Sequence, residues 1–274
     1  MNTEKFPFAV RLLGFAPREA DDVADLLLRA SDQGPGYFCL SAHSLQEPDL
    51  LIANGDELKA LAALAALSSG DLRPALIVGA SELDVPYPCL ERPLDAAALY
   101  AELARLVGRR ADALADLAAA GAAPPAERRL RERLDFDLTD PSEYAAQRRN
   151  GMRGAVLVVD RDAALSAHLA RLLQRYRIPV EWADSEAAAI ALCVERPVSV
   201  VLINTSLDGI DAYGLCAALK NAGGPLSPAV VLLVAPPFAY DAERAHAAGA
   251  EGLLDKPVAD HHLRAVLKKL MNIA

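Results

Sequence analysis

The chain has 274 residues, of which 53% are hydrophobic, and this is enough to bury two cores of ordinary domain size. Its formal net charge of -9 argues against nucleic-acid binding as the main activity, because that mode of binding needs a basic face. No apolar run approaches the roughly 20 residues of a membrane-spanning helix, and the first residues lack the apolar core of a signal peptide. We therefore expect a cytoplasmic protein with no nucleic-acid or membrane partner.

Metal and catalytic sets are missing from the sequence. There is no P-loop, no Ser/His/Asp set and no metal-spaced cluster, so we expect no enzymatic activity, no metal and no cofactor. The neighbouring His261 and His262 are expected to face solvent, since adjacent residues of a helix point in different directions. The cysteines lie in apolar segments without a C-x-x-C pair, which predicts buried, reduced thiols at Cys39, Cys89, Cys193 and Cys216.

Residues 1–108 predict a reduced parallel α/β domain, because short apolar runs alternate with amphipathic stretches. The predicted strands are residues 8–13, 37–40, 50–53, 75–78 and 88–90. The predicted helices are residues 18–29, 57–67 and 95–107. Residues 81–87 are too few and too proline-bounded for a fourth helix, and the second helix has little room between strands two and three. This domain is therefore expected to lack helix four, and we leave open whether it has helix two.

Residues 109–152 predict a helical, arginine-rich linker. Residues 111–120 continue the preceding helix, prolines at 124 and 125 break it, and residues 127–134 and 140–149 again have helical patterns. Acidic side chains are interleaved with the arginines, so two interpretations stay open. One is a solvated helix face with ion pairs, and the other is a clamp for the phosphates of a nucleotide.

Residues 153–274 repeat the α/β plan in full. The predicted strands are residues 155–159, 180–182, 198–203, 229–234 and 252–255. The predicted helices are residues 163–176, 185–194, 211–220, 240–248 and 259–271. Five strands alternating with five helices predict a doubly wound parallel sheet with right-handed crossovers. The recurrence of this plan suggests an internal duplication.

Several separated motifs then give residues 153–273 a resemblance to the receiver domain of response regulators. The motifs are Val158-Val159-Asp160 after strand one, Asn204 with Gly209-Ile210-Asp211 after strand three, Ala248-Gly249-Ala250 before strand five, and Lys256-Pro257 after it. A weaker resemblance covers residues 6–107. The family resemblance implies two tandem flavodoxin-like, CheY-like, doubly wound parallel five-stranded sheets, the first of them reduced. Two receivers in tandem, joined by a helical linker, resemble the input half of PleD- or PopA-type regulators.

A working receiver, by this resemblance, holds Mg²⁺ with two acidic residues after strand one and the phosphoacceptor aspartate after strand three. A hydroxyl after strand four and a lysine after strand five bind the phosphoryl oxygens. These five positions are here Asp160, Arg161, Asn204, Val234 and Lys256. Three of the five roles are lost, and the aromatic switch position is Leu253. Asp162, Asp208 and Asp211 are poor substitute acceptors. We also expect Lys256 to pair with Asp160.

In the first domain the resemblance aligns Gly14 and Phe15 with the acidic pair, Asn54 with the acceptor, Gly79 with the hydroxyl and Arg92 with the lysine. None of the metal ligands remains in this alignment. Arg92 still offers a guanidinium fork for an anion.

These features lead to one main functional hypothesis and to alternatives that stay open. The main hypothesis is a non-catalytic signalling adaptor or scaffold, made of two pseudo-receivers and acting on protein partners. The alternative is a cyclic di-GMP sensor that uses Arg128, Arg129, Arg131, Arg133, Arg148 and Arg149. A third hypothesis is a homodimer that forms through helix four, strand five and helix five. The chain is either a stand-alone adaptor or a piece of a regulator from which a C-terminal output domain was removed.

Overall fold

A computed structural model describes residues 6–30, 35–67, 70–80, 85–120, 154–207, 209–222 and 227–273. The chain divides into two compact units. The first is drawn from Met1–Ala42 and Glu47–Pro141, and the second from His43–Gln46 and Ser142–Ala274. The predicted boundaries of 1–108, 109–152 and 153–274 place residues 43–46 in the first domain, whereas the structure groups these four residues with the second unit.

The first unit is a five-stranded parallel sheet with strand order β2-β1-β3-β4-β5. Its strands are β1 (Phe8–Leu13), β2 (Tyr37–Cys39), β3 (Leu50–Asn54), β4 (Ala75–Val78) and β5 (Cys89–Leu90). Its helices are α1 (Pro17–Arg29), α2 (Leu58–Ala66) and α3 (Ala96–Ala119). Residues 40–49 contain no helix, so the connection that had little room for helix two has none. Residues 81–84, where the fourth helix is expected to be missing, lie outside the described residues.

Helix α3 begins with an N-cap at Asp95, whose carboxylate accepts a hydrogen bond from the Ala98 amide at 2.8 Å. It continues well beyond residue 107, so the predicted boundary at 108 falls inside the helix. Two arginines hold the added turns. Arg109 pairs with Asp71, and Arg110 pairs with the buried Asp49 at 2.7 Å, so ion pairs hold the added turns of the helix on the first unit.

The second unit contains a five-stranded parallel sheet with order β7-β6-β8-β9-β10, which is the strand order of the first sheet. Both are the 2-1-3-4-5 order of flavodoxin-like folds. The strands are β6 (Ala155–Val159), β7 (Val180–Ala183), β8 (Val198–Asn204), β9 (Ala229–Val234) and β10 (Gly252–Asp255). The helices are α4 (Ala164–Leu173), α5 (Glu186–Glu195), α6 (Ala212–Ala222), α7 (Ala242–Ala247) and α8 (Asp260–Leu270). The two-sheet fold predicted from the sequence is confirmed.

Both sheets bury apolar side chains on each face, as parallel sheets covered by helices must. Alternate residues of β6 illustrate this, because Leu157 and Val159 join one core cluster while Val156 and Val158 join the other. Strands covered on both faces need apolar side chains at every position, and β4, β6 and β9 are apolar throughout. No helix of the described ranges is long and apolar enough to cross a membrane.

Two side-chain expectations are wrong. Of the four cysteines, only Cys216 is buried, while Cys39 and Cys193 are half-buried and Cys89 is exposed. Cys89 is exposed because β5 is a two-residue strand at the edge of its sheet. Of the histidine pair, His261 is exposed as expected, but His262 is buried beside Leu263 on the inner face of α8.

Candidate functional site

The candidate site of the second unit lies at the carboxyl ends of its strands. Parallel pairing aligns Val159 with Ile203, and Asp255 with Val234. The residues that follow or end these strands therefore meet at one edge of the sheet, where doubly wound folds bind ligands. The structure brings together Asp160, Asn204 and Lys256 there.

The Asn204 amide stands between the two charged groups of this edge. Its Nδ2 donates to Asp160 Oδ1 at 2.7 Å, and its Oδ1 accepts from Lys256 Nζ at 2.6 Å. The Ser206 amide also donates to Asn204 Oδ1, at 3.1 Å. The expected direct pairing of Lys256 with Asp160 is thus replaced by a chain of hydrogen bonds through the asparagine.

These contacts fix which way the amide points. An amide oxygen accepts and an amide nitrogen donates, so a flipped Asn204 would set donor against donor at Lys256 and acceptor against acceptor at Asp160. Burial lowers the pKa of Lys256, and the negative charge of Asp160 partly opposes that effect. Asn204 therefore links one carboxylate and one ammonium through two hydrogen bonds.

The Mg²⁺ implied by the resemblance does not fit these residues. Mg²⁺ binds through carboxylate and water oxygens in octahedral geometry. The three metal positions here supply one carboxylate at Asp160, a guanidinium at Arg161 and an amide at Asn204. One oxygen of the remaining carboxylate is already engaged, because Asp160 Oδ1 accepts from the Arg161 amide at 2.8 Å as well as from Asn204.

The other two positions are apolar. Val234 is 7% exposed at the end of β9 and has no hydroxyl to donate to a phosphoryl oxygen. Leu253, at the switch position, is fully buried in the core. On β7, the edge strand next to β6, Trp182 donates its indole N–H to the Asp160 carbonyl at 3.0 Å, and 39% of this residue is exposed. Sequence reasoning missed this tryptophan, although it is the one Trp of the chain.

The first unit places an asparagine in the same position, with a different cation. Asn54 ends β3, its Nδ2 donates to the Gly14 carbonyl at 3.0 Å, and its Oδ1 accepts from Arg92 at 2.9 Å. Its Oδ1 also accepts from the Asp56 amide at 3.1 Å, as Asn204 does from Ser206. Both units therefore hold the strand-five cation on an asparagine oxygen.

Arg92 is neutralised by acidic partners that the alignment did not identify. Its guanidinium pairs with Glu19 at the start of α1 and, through Nε, with Asp56 at 3.1 Å. Gly79 leaves room for this pair, because a Cβ there would lie 2.6 Å from an Asp56 oxygen, and its φ of +103° suits glycine. The Arg92 guanidinium, which the sequence offered as a binding group for an anion, is thus already paired with two carboxylates. Phe15 lies near the guanidinium, 6.0 Å from ring centroid to Cζ.

The remaining candidate residues do not join either site. Asp162 accepts from the Ala164 amide at 2.8 Å where α4 begins, and Asp211 accepts from the Tyr213 amide at 3.1 Å where α6 begins. Both carboxylates thus engage helix starts. Asp208 lies outside the described residues, and so do the linker arginines, Arg128, Arg129, Arg131, Arg133, Arg148 and Arg149.

The second unit is similar to a known family of domains. Residues 156–268 match the family model described as the response regulator receiver domain. Curated relatives include the heme response regulator HssR of Staphylococcus aureus strains bovine RF122 / ET3-1 and JH9. Each is 32% identical over 117 residues, which is 41% of this chain and 51% of the relative. The chain thus spans about half the length of the curated relatives it matches.

Similar solved structures include the receiver domain of the sensor histidine kinase PA1611 from Pseudomonas aeruginosa PAO1, at 17% identity and a TM-score of 0.38. A response regulator from Chloroflexus aurantiacus is 23% identical, also at a TM-score of 0.38. Each match covers 43% of this chain and 98% of the other. Residues 156–268 are thus similar to the receiver domain of response regulators, and the first unit repeats the strand order of the second sheet.

Proposed function

We propose that this chain is a signalling adaptor whose receiver domain works through protein contacts and without phosphoryl transfer. The observation that carries the proposal is the Asn204 amide, which bridges Asp160 and Lys256 at 2.7 and 2.6 Å. A phosphoaspartate forms when a carboxylate oxygen attacks phosphorus. An amide oxygen that already accepts from an ammonium and from a backbone N–H is a poor nucleophile.

Electrostatics support the same conclusion. An incoming phosphoryl group carries negative charge, which a divalent cation and hydrogen-bond donors must balance. Arg161 repels a cation from the position of the second acidic residue, and Val234 donates no hydrogen bond. Asp160 and Lys256 are already linked through Asn204, so both charged groups have partners within the site.

The contacts of Arg92 in the first unit support a role in which both domains keep one conformation. Arg92 is held by Asn54, Asp56 and Glu19, so its charge is already compensated. An adaptor of this kind would present a constant surface to its protein partners rather than a surface that switches on phosphorylation. Function then resides in the surfaces and not in the chemistry of the sites.

Phosphotransfer to the intact chain tests the proposal. The chain is incubated with acetyl phosphate and Mg²⁺, and phosphoryl uptake is read by intact-protein mass spectrometry. We expect no uptake by the wild type. The variant Arg161→Asp/Asn204→Asp/Val234→Thr restores the missing groups and is the matched positive control, which we expect to be phosphorylated. Stoichiometric uptake by the wild type would overturn the proposal.

A further inference from the structure

The β10 edge of the second unit is not bare. The segment His43–Gln46 belongs to this unit although it comes from the first half of the sequence. Ser44 forms a parallel β-bridge with Leu253, and the Leu45 amide donates to the Leu253 carbonyl at 2.8 Å. The segment thus continues the sheet beyond β10 and satisfies main-chain groups that an edge strand would leave unpaired.

Gln46 extends this ladder with its side chain. Its Oε1 accepts from the Asp255 amide at 2.6 Å, and its Nε2 lies 3.5 Å from His262 Nδ1. Gln46 is 1% exposed, and burial of a glutamine is costly unless its amide finds partners. The side-chain oxygen of Gln46 therefore accepts a hydrogen bond from the strand, as a main-chain carbonyl of a neighbouring strand would.

Leu45 fits a space that a glycine leaves. Gly252 has φ +152°, and a Cβ built on it would lie 2.8 Å from Leu45 Cγ. Leu45 also packs against the apolar cluster that covers this face of the sheet. Main-chain pairing, a leucine pocket and an amide contact together are the elements by which sheet edges recognise extended peptides.

We propose that the β10 edge is a strand-addition site for an extended segment with leucine followed by glutamine, and that His43–Gln46 of the same chain occupies it as an intramolecular latch. The proposal is independent of phosphoryl chemistry. The surface considered for homodimerisation includes strand five, which is β10, so the latch covers part of it. A partner protein with a similar segment would have to displace the latch to pair with this edge.

The latch also reaches the candidate site. Asp255, whose amide Gln46 holds, directly precedes Lys256, and the Lys256 amide donates to the Val234 carbonyl at 2.7 Å. Release of Gln46 would free the end of β10 next to the lysine that binds Asn204. The geometry thus links occupancy of the edge to the order of the site.

Amide hydrogen exchange on the full-length chain tests the latch. In Gln46→Ala the Asp255 amide loses its acceptor, and we expect it to exchange roughly tenfold faster than in the wild type. Gln174→Ala, which truncates an exposed glutamine of the same unit, is the matched control and should leave the rate unchanged. Native Trp182 fluorescence confirms that each variant is folded. Equal exchange of Asp255 in Gln46→Ala and wild type would overturn the proposal.

A peptide supplied in trans tests the specificity of the edge. A labelled peptide of residues 41–48 should bind the full-length Leu45→Asp/Gln46→Ala variant, whose own latch is impaired, and bind the wild type at least tenfold more weakly. A control peptide with serines in place of the leucine and glutamine should bind neither. Absence of binding to the variant would refute the docking site. A wild-type mass of two chains by light scattering, lost in the latch variant, would refute the intramolecular arrangement.

Discussion

Replacement of Asn204 by aspartate changes one NH₂ group into an oxygen, and the structure predicts a loss of stability. The carboxylate would face Asp160 Oδ1 at the present 2.7 Å and Lys256 Nζ at the present 2.6 Å. In an effective dielectric constant of about 20, each charge interaction is on the order of 6 kcal/mol, and the two have opposite signs. They nearly cancel, so the hydrogen bond that is lost to Asp160 decides the result.

A hydrogen bond to a charged group contributes about 1.5–3 kcal/mol. We therefore expect Asn204→Asp to lower the free energy of unfolding of the second unit by about 2 kcal/mol without divalent cations. Added Mg²⁺ should recover part of this loss, because the variant offers it two neighbouring carboxylates. The wild type, with one carboxylate, should respond much less.

Urea unfolding followed by tryptophan fluorescence measures this effect in the correct unit. Trp182 is the single tryptophan and contacts the Asp160 carbonyl. With a denaturant slope of about 1.5 kcal/mol per M, the midpoint should fall by roughly 1.3 M. Asn54→Asp makes the same chemical change in the first unit and should leave this midpoint nearly unchanged. A midpoint for Asn204→Asp at or above that of the wild type, without Mg²⁺, would refute the bridging role of the amide.

Three further predictions concern other groups. Burial lowers the pKa of Lys256, so the folded chain binds this proton less tightly than the unfolded chain does. The free energy of unfolding of the wild type should then rise relative to Lys256→Met as the pH increases from the lowered pKa toward 10.5, and a flat difference between urea midpoints would contradict this. Arg92→Met removes the cation that pairs with both Glu19 and Asp56, and it should lower the free energy of unfolding of the first unit by about 1 kcal/mol in thermal unfolding followed by circular dichroism. Arg105→Met should cost less, because its ion pair is local to one helix. Alkylation of the native chain should label Cys89 first and Cys216 last, since Cys216 is fully buried and burial raises its pKa to about 11; mapping of the modified peptides checks the order.

Much of the fold followed from local patterns. The run of β6 is apolar at every position because both faces of a parallel sheet are covered, and such a run is visible in the sequence. The convergence of Asp160, Asn204 and Lys256 followed in turn from topology, since each comes at the carboxyl end of a parallel strand. The order of the groups along the hydrogen-bond chain did not follow, because it depends on distances of a few tenths of an ångström.

Contacts between single polar residues far apart in sequence escaped prediction. Glu19 reaches Arg92 from the start of α1, and Arg110 pairs with Asp49 only because α3 runs past its expected end. No periodicity marks such residues, since one polar position in a loop or in an early helical turn has the same pattern whether or not it is paired. Gln46 has the largest separation of these examples, because its side-chain oxygen accepts a hydrogen bond from the Asp255 amide 209 residues away.

The latch has a consequence for the order in which the chain is made. Gln46 and Asp255 are 209 residues apart, so at translation rates of 5–20 residues per second the segment waits roughly 10–40 s for its strand. During that interval Leu45 and Gln46 have left the ribosome, but β10, the strand with which they pair, has not yet been synthesised. The second sheet can close this edge only after β10 has been synthesised, so premature termination before β10 would leave an extended, partly apolar segment open to other nascent chains.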